Sequence, residues 1–243
     1  MKKLFFAFAV LAVIAMIGLT SSLLIGGFGP RSADAYDEKG AVPRDRAQPM
    51  NTKRNVAIFA HEGVELLDFA GPGEVFVAAG RNGEFNVYTV AASPEPIVSQ
   101  GFVTIKPQYT IANCPPPDIV ILPGGRTDVP LNNAEVIEWI KKSSRSAEVV
   151  MSVCTGAFLL AKAGLLDGAE ATTHWGSIES LKQNAPRTTV RENCRFVDNG
   201  KVVTAAGVSA GIDASLHVVD RLLGREAASR TARYMEYKWE PEK

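Results

Sequence analysis

The sequence is short of cysteine and of net charge, and each shortage narrows what it can do. Cysteine occurs only at Cys114, Cys154 and Cys194, with no CxxC pair or other metal spacing, so no metal site is expected. An odd count leaves at least one thiol free, even if Cys114 and Cys194 pair in an oxidising compartment. The 26 basic and 26 acidic residues cancel, which gives no electrostatic ground for a nucleic-acid partner. No internal repeat is present. What the chain does have is 243 residues with 46% hydrophobic and 21% charged content, enough for one sizeable core.

Charge is also missing from Leu4 to Pro30, directly after Lys2 and Lys3. This stretch reads as a signal peptide or membrane anchor, residues 1–30, and the apolar run Leu4–Leu24 fits the length of a bilayer-spanning helix. Ala33-Asp34-Ala35 offers a small-x-small cleavage signal. The expectation is therefore an extracytoplasmic protein, held to the cell membrane by its N-terminal helix or secreted if cut after Ala35. Loss of residues 1–35 leaves 23 basic against 25 acidic residues, still balanced. Residues 31–54 are polar, contain Pro43 and Pro49, and read as a tether; residues 55–243 form the folded domain.

From Asn55 onward, short apolar runs alternate with helical patterns, which predicts a doubly wound, mostly parallel α/β sheet sandwiched by helices. Strands are expected at Asn55–Ala60, Phe85–Ala91, Asp118–Leu122, Glu148–Val153 and Ala169–His174, with small hairpins near Val98–Pro107 and Arg195–Thr204. Helices are expected at Phe69–Ala79, after Asn133, at Thr155–Ala163, around Ser177–Gln183, along the Ile212–Leu223 face and at Arg225–Tyr237. Open parallel sheets bind ligands beyond the carboxyl ends of their strands. His61–Asp68, Pro123–Thr127 and Cys154–Thr155 should meet there.

Cys154 stands between a buried strand and a helix, the position of a nucleophile elbow, where a helix N-terminus favours a thiolate. Gly124-Gly125 ends the neighbouring strand and can aim backbone N–H groups at charge developing during attack. Asp68 precedes a helix; it reads as an N-cap and, compatibly, as a carboxyl group that exchanges a proton with the thiol. His174 is open to three roles: base, pocket wall or semi-buried structural group. His61 is a lesser pocket candidate, while His217 and Asp213 lie in a helix and read as structural.

Four motifs together resemble the ThiJ/PfpI superfamily, of the flavodoxin-like, class I glutamine amidotransferase-like fold. They are Ser152-Val153-Cys154-Thr155-Gly156-Ala157, Ala163-Gly164-Leu165-Leu166, Ala171-Thr172-Thr173-His174-Trp175 and Gly207-Val208-Ser209-Ala210-Gly211-Ile212-Asp213. The pattern is nearest to isonitrile hydratases and the sensor half of AraC-type regulators. The resemblance implies a nucleophile at Cys154, a carboxylate at Asp68, and the backbone of Gly125 and Thr155 as oxyanion donors. Thr155 also carries a catalytic position; His174, Gly124 and His61 line the pocket. The resemblance further implies a homodimer and a small-molecule substrate. A histidine follows the cysteine in the peptidase branch, and Thr155 stands there instead, which disfavours proteolysis.

Three functions follow from these residues. The first is an isonitrile hydratase-like enzyme, which needs no metal or organic cofactor. The second is a glyoxalase or deglycase acting on reactive carbonyls through the same thiol, and the third a non-catalytic ligand or oxidation sensor.

Overall fold

The computed structural model describes residues 53–241. In chain order these form β1 (Arg54–Phe59), α1 (Leu66–Ala79), β2 (Phe85–Ala91), β3 (Ile97–Ser99), β4 (Val103–Ile105), β5 (Tyr109–Thr110) and β6 (Ile119–Leu122). Next come α2 (Asp128–Leu131), α3 (Ala134–Ser146), β7 (Val149–Val153), α4 (Ala157–Lys162), β8 (Glu170–Ala171), α5 (Ile178–Asn184) and β9 (Thr189–Val190). The chain closes with β10 (Phe196–Asp198), β11 (Val202–Ala205), α6 (Ala210–Leu223) and α7 (Arg225–Tyr234).

Seven strands make one sheet in the order β10-β11-β7-β6-β1-β2-β5. All neighbours are parallel except β10 and β11. Side chains alternate between two cores, as the strand pleat requires. Val56, Ile58, Ile119, Ile121, Met151 and Val153 face α1, α6 and α7, whereas Ala57, Phe59, Val120, Leu122 and Val150 face α3, α4 and α5. Because both faces are covered, β6 and β7 are buried at every position, which is why they read as unbroken apolar runs.

The helices dock through apolar stripes. In α3, Val136, Ile137, Trp139 and Ile140 are buried, each removal from water contributing about 1.5–3 kcal/mol. Asn133 caps this helix by accepting from the N–H groups of Glu135 and Val136, as expected.

Three expectations need correction. The strand anticipated at Ala169–His174 is only two residues long and pairs with β9 outside the main sheet. Cys114 and Cys194 are free thiols; one follows edge strand β5 and the other precedes the opposite edge strand β10. At roughly 4.8 Å per strand, that separation far exceeds a disulfide's reach. The expected transmembrane helix is also withdrawn, with the anchored or secreted, extracytoplasmic placement that rested on it. Among the described residues no helix is long and apolar enough to cross a membrane. Leu4–Pro30, the Ala33–Ala35 cleavage signal and the tether before Lys53 lie outside the described residues.

Candidate active site

The chain runs from β1 outward to β2, then returns to the other side through β6, β7 and β11. This places the switch point between β1 and β6, beyond whose carboxyl ends open parallel sheets bind ligands. The loops after β1, β6 and β7 converge there as expected, and an antiparallel bridge between Val64 and Gly125 ties the first two together.

Cys154 begins a single 3-10 turn directly after β7, with φ of +57°. A non-glycine residue in the left-handed region is uncommon and is held there only by its surroundings. Two glycines make the fit possible. A Cβ at Gly156 would lie 1.9 Å from the Leu122 carbonyl oxygen, and one at Gly207 would lie 3.1 Å from Cys154 Cβ and 3.3 Å from its Sγ. The thiol is 8% exposed.

Asp68 is completely buried in the first turn of α1. It does not cap that helix: the cap position is Glu65, and both Asp68 oxygens accept from elsewhere. Oδ2 accepts from Gly124 N–H at 3.0 Å and Oδ1 from Val208 N–H at 2.8 Å. Its remaining partner is the Cys154 thiol. Burial pushes the Asp68 carboxyl up to about 6, against the pull of those neutral N–H groups.

Burial first, and the Asp68 charge second, push the Cys154 thiol up to about 12, while the N–H and hydroxyl of Thr155 act in the opposite direction. The thiolate expected from a helix N-terminus is therefore not the resting form. Burial thus disfavours a negative charge on either group, and the two titrate as a pair.

Thr155 Oγ1 accepts from Gly125 N–H at 3.0 Å and lies 3.2 Å from the Gly125 carbonyl. The Gly125 N–H expected as an oxyanion donor is thus engaged by Thr155, and the Gly124 N–H by Asp68. The Thr155 N–H, directed at the sulfur, is the donor left to a reacting group.

His174 reaches the site through Gly207, whose added Cβ would lie 3.3 Å from His174 Cδ2. Its Nδ1 accepts from Gly176 N–H at 3.3 Å, so the neutral ring carries its proton on Nε2. His174 and Trp175 are in ring contact, but Trp175 is 83% exposed, not packed away. Together they border a cleft of about 370 Å³ whose walls include Ile178, Asn193, Cys194 and Gly207. Its charged wall residues are each paired, Glu192 with Lys182 and Arg195 with Asp213. Gly124 and His61 are not among the residues that border this cleft, and neither are Cys154 and Asp68. His61 is buried, its Nδ1 3.1 Å from the Glu62 carbonyl and its Nε2 without a hydrogen-bond partner, and burial pushes its pKa down.

Sequence reasoning missed Thr173, Gly207 and Val208 as parts of the site. The signal for the last two was available: a glycine at the end of a buried strand, as at Gly124-Gly125. Reading Arg195–Thr204 as an isolated hairpin hid it, because β11 also runs parallel to β7 and ends beside Cys154.

A model described as the DJ-1/PfpI family matches residues 54–221. Isonitrile hydratase from Pseudomonas putida is 33% identical over 175 residues, 72% of this chain and 74% of that protein. The HTH-type transcriptional regulator CdhR from Pseudomonas aeruginosa is 25% identical over 168 residues, 68% of this chain and 50% of the regulator. Among solved structures, a ThiJ/PfpI family protein from Pseudomonas syringae superposes with a TM-score of 0.74 at 27% identity, covering 86% of each chain.

Proposed function

The chain belongs to the DJ-1/PfpI family, and on that premise we propose that it is a cysteine-dependent hydratase acting on small, uncharged isonitriles. The observation that carries this reading is the buried Cys154 thiol facing the buried Asp68 carboxyl, near a cleft whose charged walls are paired. An isonitrile has a terminal carbon that accepts a nucleophile and then a proton at the same atom. A thiol hydrogen-bonded to a carboxylate supplies both in turn.

As Cys154 Sγ bonds to the terminal carbon of R–N≡C, its proton passes to Asp68, which acts as general base. Asp68 then returns the proton to that carbon, giving the thioimidate R–N=CH–S–Cys154. Water adds to the carbon and nitrogen takes up a proton. Collapse breaks the C–S bond, and the thiol regains its proton as R–NH–CHO departs. The Thr155 N–H stabilises negative charge beside the sulfur, and in this reading His174, which borders the cleft, binds the water.

The similarity to a P. putida isonitrile hydratase supports this reading, and the similarity to a regulator shows that the fold alone does not decide it. The test is formamide production from an alkyl and an aryl isonitrile, with Cys154→Ala as background and methylglyoxal assayed in parallel. Formamide above background sustains the proposal. Turnover of methylglyoxal alone would replace it with the carbonyl reading, and turnover of neither would leave a ligand or oxidation sensor.

A further inference from the structure

After Ala171 the chain leaves β8, and the next three residues have no strand partner. Their main chain is held by a side chain instead: Thr172 N–H donates to Thr204 Oγ1 of β11 at 2.9 Å. This anchoring brings the hydroxyl of Thr173, 1% exposed, to the Cys154 carbonyl, to which it donates at 2.8 Å. The same carbonyl already accepts from Ala157 N–H, the bond that closes the 3-10 turn. A second donor is not needed to make such a turn. It fixes the direction of the carbonyl, and hence the peptide plane that sets the left-handed backbone of Cys154.

We propose that Thr173 is the positioning residue that holds Cys154 in its left-handed conformation and keeps its thiol against Asp68. Three features support this. The φ of +57° is disfavoured for cysteine and persists only where neighbours over-determine it. A fully buried hydroxyl must donate to something, and this one donates only to the nucleophile's own carbonyl, across 19 residues of chain. The residue that follows is His174, so one segment sets both the elbow and the ring that borders it. Without the hydroxyl, the Cys154 carbonyl loses one of the bonds that hold it, and the Cys154 backbone can relax toward negative φ. Sγ then swings away from Asp68, and the carboxylate loses the proton donor it faces.

The inference rests on Cys154 being the nucleophile, but its test does not depend on the isonitrile reading. Iodoacetamide labelling of Cys154, followed peptide by peptide across pH 5–10, reports the thiol–carboxylate pair without any substrate. In the wild type the rate should carry an inflection near the Asp68 pKa of about 6. Thr173→Val, which keeps the shape and removes the hydroxyl, should lose that inflection and show the single rise of an isolated thiol. Thr173→Ser should keep it. Where turnover is measurable, Thr173→Val should lower kcat about tenfold, the rate equivalent of one hydrogen bond, with KM changed less than about twofold, and Thr173→Ser should recover most of the rate. A folded Thr173→Val with the wild-type profile overturns the proposal. So does a Thr173→Ser that loses the inflection, a result readable even if the valine variant does not fold. Absence of isonitrile turnover in the wild type counts against the proposed function and leaves the labelling result to decide on Thr173.

Discussion

Two carboxylates, Asp68 fully buried and Asp198 half-buried, meet opposite fates. Asp68 accepts from two neutral backbone N–H groups and a thiol, and its burial raises its pKa to about 6. Asp198, at the end of β10, is also penalised by burial, but His217 at 2.6 Å, the Gly200 N–H and Arg221 at 2.7 Å win, and its pKa is lowered. The comparison shows that burial alone does not prepare a carboxylate for proton transfer. The partners decide: neutral backbone donors leave the group able to take a proton, whereas a guanidinium with further hydrogen bonds keeps it ionised.

The sharpest way to break the comparison is to remove the groups that define it. Cys154→Ala should reduce turnover to background, because Cys194, the other thiol near the cleft, has no carboxylate beside it to exchange its proton. Asp68→Asn should lower kcat about 10²–10⁴-fold, the usual worth of general acid–base assistance. Asp198→Asn should leave kcat within about twofold while lowering stability by about 1–2 kcal/mol, since Arg221 loses its counter-charge and His217 its hydrogen-bond partner. Equal kinetic losses in the two variants would remove the distinction. A purely structural Asp68 would keep its full rate as Asn.

Smaller but more diagnostic is the pH dependence. Turnover should rise through about pH 6 as Asp68 becomes the base. Stability should move the other way. The folded state binds the Asp68 proton more tightly than the unfolded chain, so its contribution is complete below the unfolded value of 3.8 and is lost as pH rises to about 6. The lowered pKa of Asp198 reverses the sign: its contribution is present above 3.8 and lost on acidification. Urea unfolding of the wild type and both Asn variants between pH 3 and 7 reads these two slopes, which must be opposite. For Asp68 the Asn replacement removes a desolvation penalty of about 3 kcal/mol at neutral pH. It also sets an amide N–H₂ against a backbone N–H, which returns about 1–3 kcal/mol. A net change within about 2 kcal/mol is expected.

The smallest expected effect concerns the boundary. A chain beginning at Asn51 should unfold cooperatively with the same midpoint as a longer one, because every βα unit lies downstream. Aggregation of the shorter chain would give the earlier residues a place in the fold.

Much of this half-and-half arrangement was legible in the sequence where information is local. The apolar runs of β1, β2, β6 and β7, the Asn133 cap and the strand-to-turn position of Cys154 all follow from neighbours within a few residues. The partners of Asp68 did not, because its bond to Val208 spans 140 residues and uses a backbone N–H that no residue type announces. The same holds for Thr172 and Thr173, whose apolar context reads as strand although their hydroxyl and N–H groups turn toward other segments. The thiol's electrostatics were misread for a different reason. A six-residue helix offers a modest dipole, and burial beside a carboxylate outweighs it.

The two outermost strands of the sheet carry a consequence for handling and storage. Edge β5 is two residues long and edge β10 three, and Lys106 and Asp198 stand at or beside those margins. A neighbouring molecule seeking to extend the ladder therefore finds few consecutive free N–H and C=O groups on either side. Growth of this sheet from one protein to the next has almost no template, so concentrated samples should lose protein through unfolded chains long before native molecules stack edge to edge.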